Sequence, residues 1–268
     1  YDPLAALDEA GDVRPYLAED FATNEDFTRW DIRLRPGITF HDGTALDADV
    51  VAANLEAVIG SPLLGQAFAL VSDVEASEPL VVTVHLDGPW STFPAHLAGQ
   101  AGYVVAEANL ADATSTPIGT GPFTFNEWVR DAHLKLDRNE VYWQEGLPYL
   151  DALEFRPITD PLSRQQSIQS GTIDAGLWTS PYGTVLAAAE AGELQLYTDA
   201  GAETGEIFVT LNTAAPPFDD PVAREALDAV GDRPELIDAA FDGLYLPATG
   251  PLNPDSPFHT GDAAAPAP

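Results

Sequence analysis

Between Trp30 and Ile59 two local patterns stand back to back, and they restrict the fold more than any other stretch of the chain. Ile32 and Leu34, then Ile38 and Phe40, are apolar at period two, the pattern of a strand pair with one buried face. Arg35-Pro36-Gly37 interrupts the alternation, and Asp42-Gly43 is a tight turn in which glycine tolerates a positive φ. Thr44 or Asp47 can then cap a helix running from about Asp49 to Ile59, with Val50, Val51, Leu55, Val58 and Ile59 near one face. A strand, a turn and a capped helix specify a fold element and call for no catalytic group.

Composition sets the outer bounds. A chain of 268 residues can bury a sizeable core in one or two domains, and 45% hydrophobic residues suit a folded globule. Its apolar runs fall short of the ~18 residues a membrane-spanning helix needs. Against 43 acidic residues stand 11 basic ones, a net charge of −32, and Lys135 is the only lysine. Such a surface repels DNA, RNA and anionic lipid, so no nucleic-acid partner is expected. The acids are spread along the whole chain, which reads as a solvated surface more than as a site for a cation. With no cysteine, disulfides, zinc–thiolate sites and cysteine nucleophiles are excluded. The chain also has no methionine, so Tyr1 follows no initiator, and the expectation is a processed or incomplete product.

Further along, Leu80 to Leu86 is rich in β-branched residues and reads as a strand ended by Gly88-Pro89. Ser91 to Gly99 reads as a short helix, and the segment from Gly102 as a strand or a helix. Phe123, Phe125, Leu134 and Leu136 flank Val129 to Ala132 as a β-hairpin. Asn139 to Leu150 is an aromatic loop, and Leu153 to Ile158 a strand. Arg164 to Ser170 predicts a short helix, Ile173 to Ala175 a strand, and Pro181 to Ala191 a helix. Ile207, Val209 and Leu211 predict a strand ended by Pro216-Pro217. Two helices follow; Asp220 caps the first, with Pro221 at its first position, and Pro234 sits near the start of the second. The tail from His259 is a Pro/Ala-rich linker, expected to be disordered.

Few residues suggest chemistry. His41-Asp42-Gly43 looks like a His–Asp pair, but no nucleophile motif accompanies it, so His41 reads as packing or capping its turn. His41, His85, His96, His133 and His259 show no helical ligand spacing, so neither a metal nor any other cofactor is expected. Gly119-Thr120-Gly121 lacks the lysine of a phosphate loop and leads into a strand, which excludes nucleotide binding there. Counting leaves a hydrolase with two carboxylates open as an alternative, since acids are abundant. An acidic interaction module is a second alternative. Trp128, Tyr142, Trp143 and Tyr149 read as core beneath the aromatic loop, with Asp219-Asp220 as a helix cap.

Four blocks, in order, resemble the family 5 extracellular solute-binding proteins, the dipeptide-, oligopeptide- and nickel-binding receptors of ATP-driven importers. They are LRPGITFHDGTALDADVVAANLEAV, PIGTGPFTFNEWVRDAHLKLDRNEVYWQEGLPYLDALEFRPITD, SRQQSIQSGTIDAG and LNTAAPPFDDPVAREALDAVGDRPELIDAAFDGLYLPATGPL, together nearly half of the chain. The resemblance implies a mixed α/β (α+β) fold of the type II periplasmic-binding-protein kind, with two lobes, of cluster C type with an accessory domain, and cut short here. It assigns 1–115 to the accessory part of lobe I and 116–205 to part of its core. It assigns 206–258 to the start of lobe II and 259–268 to the tail. In such relatives the residues after the SGTIDAG turn face the cleft, so Trp178 is a candidate for stacking on a ligand, with core packing as the other reading. Phe208 and Thr210 align with cleft-facing positions, and an acidic group in some relatives stands where Thr210 does. The resemblance further implies a small-molecule or peptide ligand, permease subunits as partners, a monomer, and a periplasmic or cell-surface location, lipid-anchored in the complete protein. Binding is implied, not bond-breaking. A chain without the rest of its second lobe is expected to hold solute weakly.

Overall fold

The computed structural model describes residues 1–112, 116–178, 182–197, 209–245 and 247. The backbone divides into two compact units, Tyr1–Pro157 and Ile158–Pro268.

The first unit opens with a short antiparallel ribbon, β1 (Ala5–Leu7) and β2 (Val13–Pro15). Next come β3 (Ala18–Thr23) and β4 (Arg29–Leu34), then helix α1 (Ala48–Ile59), β5 (Val71–Glu78) and β6 (Val81–Leu86). The strands form a four-stranded antiparallel sheet in the order β3-β4-β6-β5. β4 buries Trp30, Ile32 and Leu34 at period two. β6 is interior to the sheet, and Val81, Val82, Val84 and Leu86 are all buried, as a strand covered on both faces requires. Thr83 is buried among them because its hydroxyl donates to Asp31 at 2.8 Å.

Ile38 and Phe40 do not extend a strand pair with Ile32 and Leu34. Gly37 turns the chain at φ 79°, and only an isolated bridge joins Thr39 to Ala45. Both side chains are nonetheless buried in the core. The alternation reported burial; the pairing positions on either side of β4 are taken by β3 and β6. Asp47, not Thr44, caps α1, accepting from the Val50 amide at 3.1 Å. The Thr44 hydroxyl instead donates to Asp42 at 2.6 Å across the turn at Gly43, where φ is 85°. Ala48, Val51, Ala52 and Leu55 form the buried face of α1, and buried Asn54 bonds both the amide and the carbonyl of Val105 at 2.9 Å.

Two short helices, α2 (Phe93–His96) and α3 (Glu107–Ala111), lead to an antiparallel three-stranded sheet. Its strands are β7 (Phe123–Val129), β8 (His133–Arg138) and β9 (Ala152–Phe155), in that order. Asp131, at φ 61°, makes the β7–β8 turn.

The second unit contains α4 (Pro161–Gln169), α5 (Gly183–Glu190), α6 (Pro221–Val230) and α7 (Arg233–Phe241). Asp220 caps α6 through the Val222 amide at 2.9 Å, with Pro221 beginning the helix. Ile173–Ala175 is not a strand. The amides of Thr172 and Ile173 both donate to the Ser167 carbonyl, at 2.8 and 3.2 Å, so this segment wraps the end of α4. Gly171, at φ 69°, permits that reversal. Val209 and Leu211 also lie in irregular backbone; Ile207 and the tail from His259 fall outside the described residues.

Candidate functional site

Trp178 ends the segment that wraps α4. A Cβ on Gly176 would come within 2.9 Å of the Trp178 Cζ3 and 3.2 Å of the Ile168 Cδ1. The indole is therefore folded back over a glycine that leaves it room. Arg164 and Ile168 lie one turn apart on the same face of α4. The Arg164 guanidinium carbon stands 4.8 Å from the centroid of the Trp178 ring, a cation–π contact. One side of the ring is thus committed to α4, while the residue as a whole stays half-buried. The Trp178 Nε1 and the Arg164 Nε are both buried, and neither has a hydrogen-bond partner among the described residues. Gln165, the next residue of α4, is turned toward α5, its amide nitrogen 3.4 Å from the Thr184 carbonyl.

Thr210 is exposed in irregular backbone, and Phe208 lies outside the described residues. Arg164 escaped the sequence reading. A single arginine on a short helix carries no pattern, and its neighbour Trp178 is close only because the chain reverses at Gly171.

The aromatic residues of the Asn139–Leu150 loop divide in two. Trp143 packs edge-on against Tyr16, with centroids 5.4 Å apart, and its Nε1 donates to the buried Asp2 carboxylate at 2.8 Å. The Tyr142 and Tyr16 hydroxyls lie 3.0 Å apart. Burial holds the Asp2 carboxyl above its ordinary pKa, against the hydrogen bonds from Trp143, Tyr142 and Thr120. Burial, and then the bond to Tyr16, push the Tyr142 phenol strongly upward. Trp128 and Tyr149, read as core in the sequence, are 63% and 85% exposed. Trp128 instead lines a groove of about 300 Å³ with Leu134, Phe155 and Pro157 among others.

The His41 ring spans the Gly119–Gly121 loop. Its Nδ1 accepts from the Gly119 amide at 3.4 Å, which places the ring proton on Nε2, 2.9 Å from the Gly121 carbonyl. Both nitrogens are spent on backbone, a structural role. Among the described residues no three histidine, aspartate or glutamate side chains converge as a metal ion would need.

The sequence profile of the bacterial extracellular solute-binding proteins, family 5 (middle region), matches residues 12–267. The chain belongs to this family. The glutathione-binding protein GsiB of Salmonella paratyphi A is 31% identical over 261 residues, 95% of this chain and 50% of its own length. The GsiB of Escherichia coli K12 matches to the same extent. The oligopeptide-binding protein AppA of Bacillus subtilis, solved with a nonapeptide, superposes with a TM-score of 0.84 at 26% identity. That match covers 99% of this chain and 54% of AppA. DppA of Helicobacter pylori shares the fold, with a TM-score of 0.80 at 24% identity, over 95% of this chain and 55% of its own. These matches establish the mixed α/β fold of the type II periplasmic binding proteins. The chain spans about half the length of the relatives it matches. Those relatives are solute-binding proteins, not enzymes.

Proposed function

We propose that this chain is the solute-recognising part of an extracytoplasmic receptor that delivers short peptides to an ATP-binding-cassette importer. The observation that carries the reading is the family match over residues 12–267, reinforced by likeness to an oligopeptide receptor over nearly the whole chain. GsiB, named for binding glutathione, points to the same class of cargo. In this reading Trp178, Phe208 and Thr210 belong to the surface that meets the solute. Cargo is bound unchanged: closure around it shifts the population of receptor that the permease subunits recognise. The receptor acts as a monomer, held at the membrane by a lipid anchor in the complete protein.

Thermal unfolding of the intact receptor against a ligand panel tests this. The panel holds di- to nonapeptides, glutathione, a nickel–histidine complex and an opine. A bound ligand at one hundred times its Kd stabilises by about 2.7 kcal/mol, a shift easily read. Peptides are expected to raise the Tm saturably. Stabilisation by another class alone overturns the peptide assignment. No stabilisation by any class, or turnover of peptides or glycosides, overturns the receptor reading.

A further inference from the structure

Three buried polar atoms in the second unit have no partner among the described residues: the acceptor Gln165 Oε1, on a side chain turned toward α5, and two donors. The Trp178 Nε1 and the Arg164 Nε are both buried hydrogen-bond donors, they belong to side chains in cation–π contact, and neither has an acceptor among the described residues. Arg164 takes part in no ion pair there, in a chain that carries 43 acidic residues. Asp160, at the start of the same helix, is committed elsewhere: it caps α4 by accepting from the Ser163 amide at 2.8 Å and from the Ser163 hydroxyl at 2.5 Å. Leaving a buried donor unmade costs about 1–3 kcal/mol, and more when the group is charged. Two adjacent donors, one of them cationic, lack the same thing, an oxygen that carries negative charge.

We propose that Arg164 and Trp178 form a subsite for a carboxylate, which accepts one hydrogen bond from the indole and the others from the guanidinium. The assignment rests on the receptor reading, in which that carboxylate belongs to the solute. The guanidinium carbon is held over the ring, 4.8 Å from its centroid, so the fork is positioned before the anion arrives. Among the described residues the Trp178 indole has no hydrogen bond that must first be broken, and it lies in irregular backbone. Rotation of its side chain opens the pair to an entering oxygen, and the bonds then formed offset the cost of both orphaned donors. A neutral hydroxyl or amide oxygen satisfies one donor and leaves the charge of Arg164 unanswered. The subsite therefore selects solutes with a free acid group over their amides or esters.

The test uses acetate as the probe, so it does not depend on knowing the solute. In the intact receptor the indole ¹H–¹⁵N resonance of Trp178, assigned by its loss in Trp178→Phe, is followed as sodium acetate replaces sodium chloride at constant ionic strength. A saturable downfield shift is expected, with half-saturation raised about tenfold or more in Arg164→Gln, the equivalent of ~1.4 kcal/mol. Arg164→Lys keeps the charge and the aliphatic stem, so it preserves the packing of α4 and weakens acetate binding through loss of the fork. An unmoved resonance, a drift that never saturates, or an identical curve in both variants overturns the proposal. A saturable acetate shift in a protein that no panel solute stabilises defeats the receptor reading alone. Peptide stabilisation that is equal for acids and their amides defeats the carboxylate subsite alone.

Discussion

The Nε1 of Trp143 donates to the Oδ2 of Asp2 at 2.8 Å, joining residues 141 positions apart. Asp2 is 3% exposed, and burial raises its pKa above the ordinary 3.8 although this bond works in the opposite direction. In the window from 3.8 up to that raised value the folded state holds more protons than the unfolded one. Stability therefore falls as pH rises through the window, and the burial penalty is present in full above it. Urea midpoints measured from pH 3.8 to neutrality are expected to decline less in Asp2→Asn than in the parent. Trp143→Phe removes the opposing bond and is expected to steepen the decline. Parallel curves for all three proteins would contradict this account.

Asp47 accepts from the Val50 amide at the start of α1, whereas the Thr44 hydroxyl is spent on Asp42. Asp47→Ala is expected to cost about 1 kcal/mol in chemical denaturation, with Asp47→Asn recovering most of it. Thr44→Ala is expected to cost roughly 0.5 kcal/mol or less. The reverse ranking would show that the cap lies elsewhere.

Asn54 is buried on α1, and its side chain satisfies both backbone groups of Val105 while also donating to the Val50 carbonyl at 2.8 Å. Asn54→Ala leaves the Val105 amide and carbonyl without their partner and is expected to cost about 2–4 kcal/mol. Asn54→Asp restores one acceptor but buries a charge, so its loss is expected to grow as pH rises above the carboxylate range. Hydrogen exchange at the Val105 amide checks the local origin: it is expected to quicken in Asn54→Ala and to stay slower in Asn54→Asp, which keeps an acceptor for that amide.

Where local chemistry decides an element, the sequence sufficed. Thus α1 with Asp47, β6 with its β-branched run, the β7–β8 hairpin and α6 with Asp220-Pro221 all stand within a few residues of their expected positions. The polar strand β3 and the strand β5 escaped notice. β3 reads Ala-Glu-Asp-Phe-Ala-Thr and β5 Val-Ser-Asp-Val-Glu-Ala-Ser-Glu, and both lie at the edges of their sheet. Edge strands bury few side chains and carry charge that blunts pairing with other chains, so their apolar period is faint. Ile38 and Phe40 show the converse: period-two burial without a strand, because burial is a property of side chains and pairing a property of distant backbone. At the candidate site Trp178 was legible through a family motif. Arg164 was not, since its role depends on a reversal after α4 that brings the indole back to the helix.

That reversal yields a test of the Trp178 environment. The backbone of Gly176 lies beneath the indole, and a methyl group there would come within 2.9 Å of Cζ3 and 3.2 Å of the Ile168 Cδ1. Neither neighbour is backbone, so the expected response to Gly176→Ala is a displaced ring, not a broken chain. Overpacking of this kind costs about 1–3 kcal/mol, and it also parts the indole from Arg164. In a Trp178→Phe background the smaller ring leaves space for the methyl, so the cost of Gly176→Ala is expected to shrink. The two substitutions should couple by about 1 kcal/mol in a double-mutant cycle on chemical denaturation. Additive effects, with Trp178 fluorescence unchanged by Gly176→Ala, would mean that the indole does not rest on this glycine in solution.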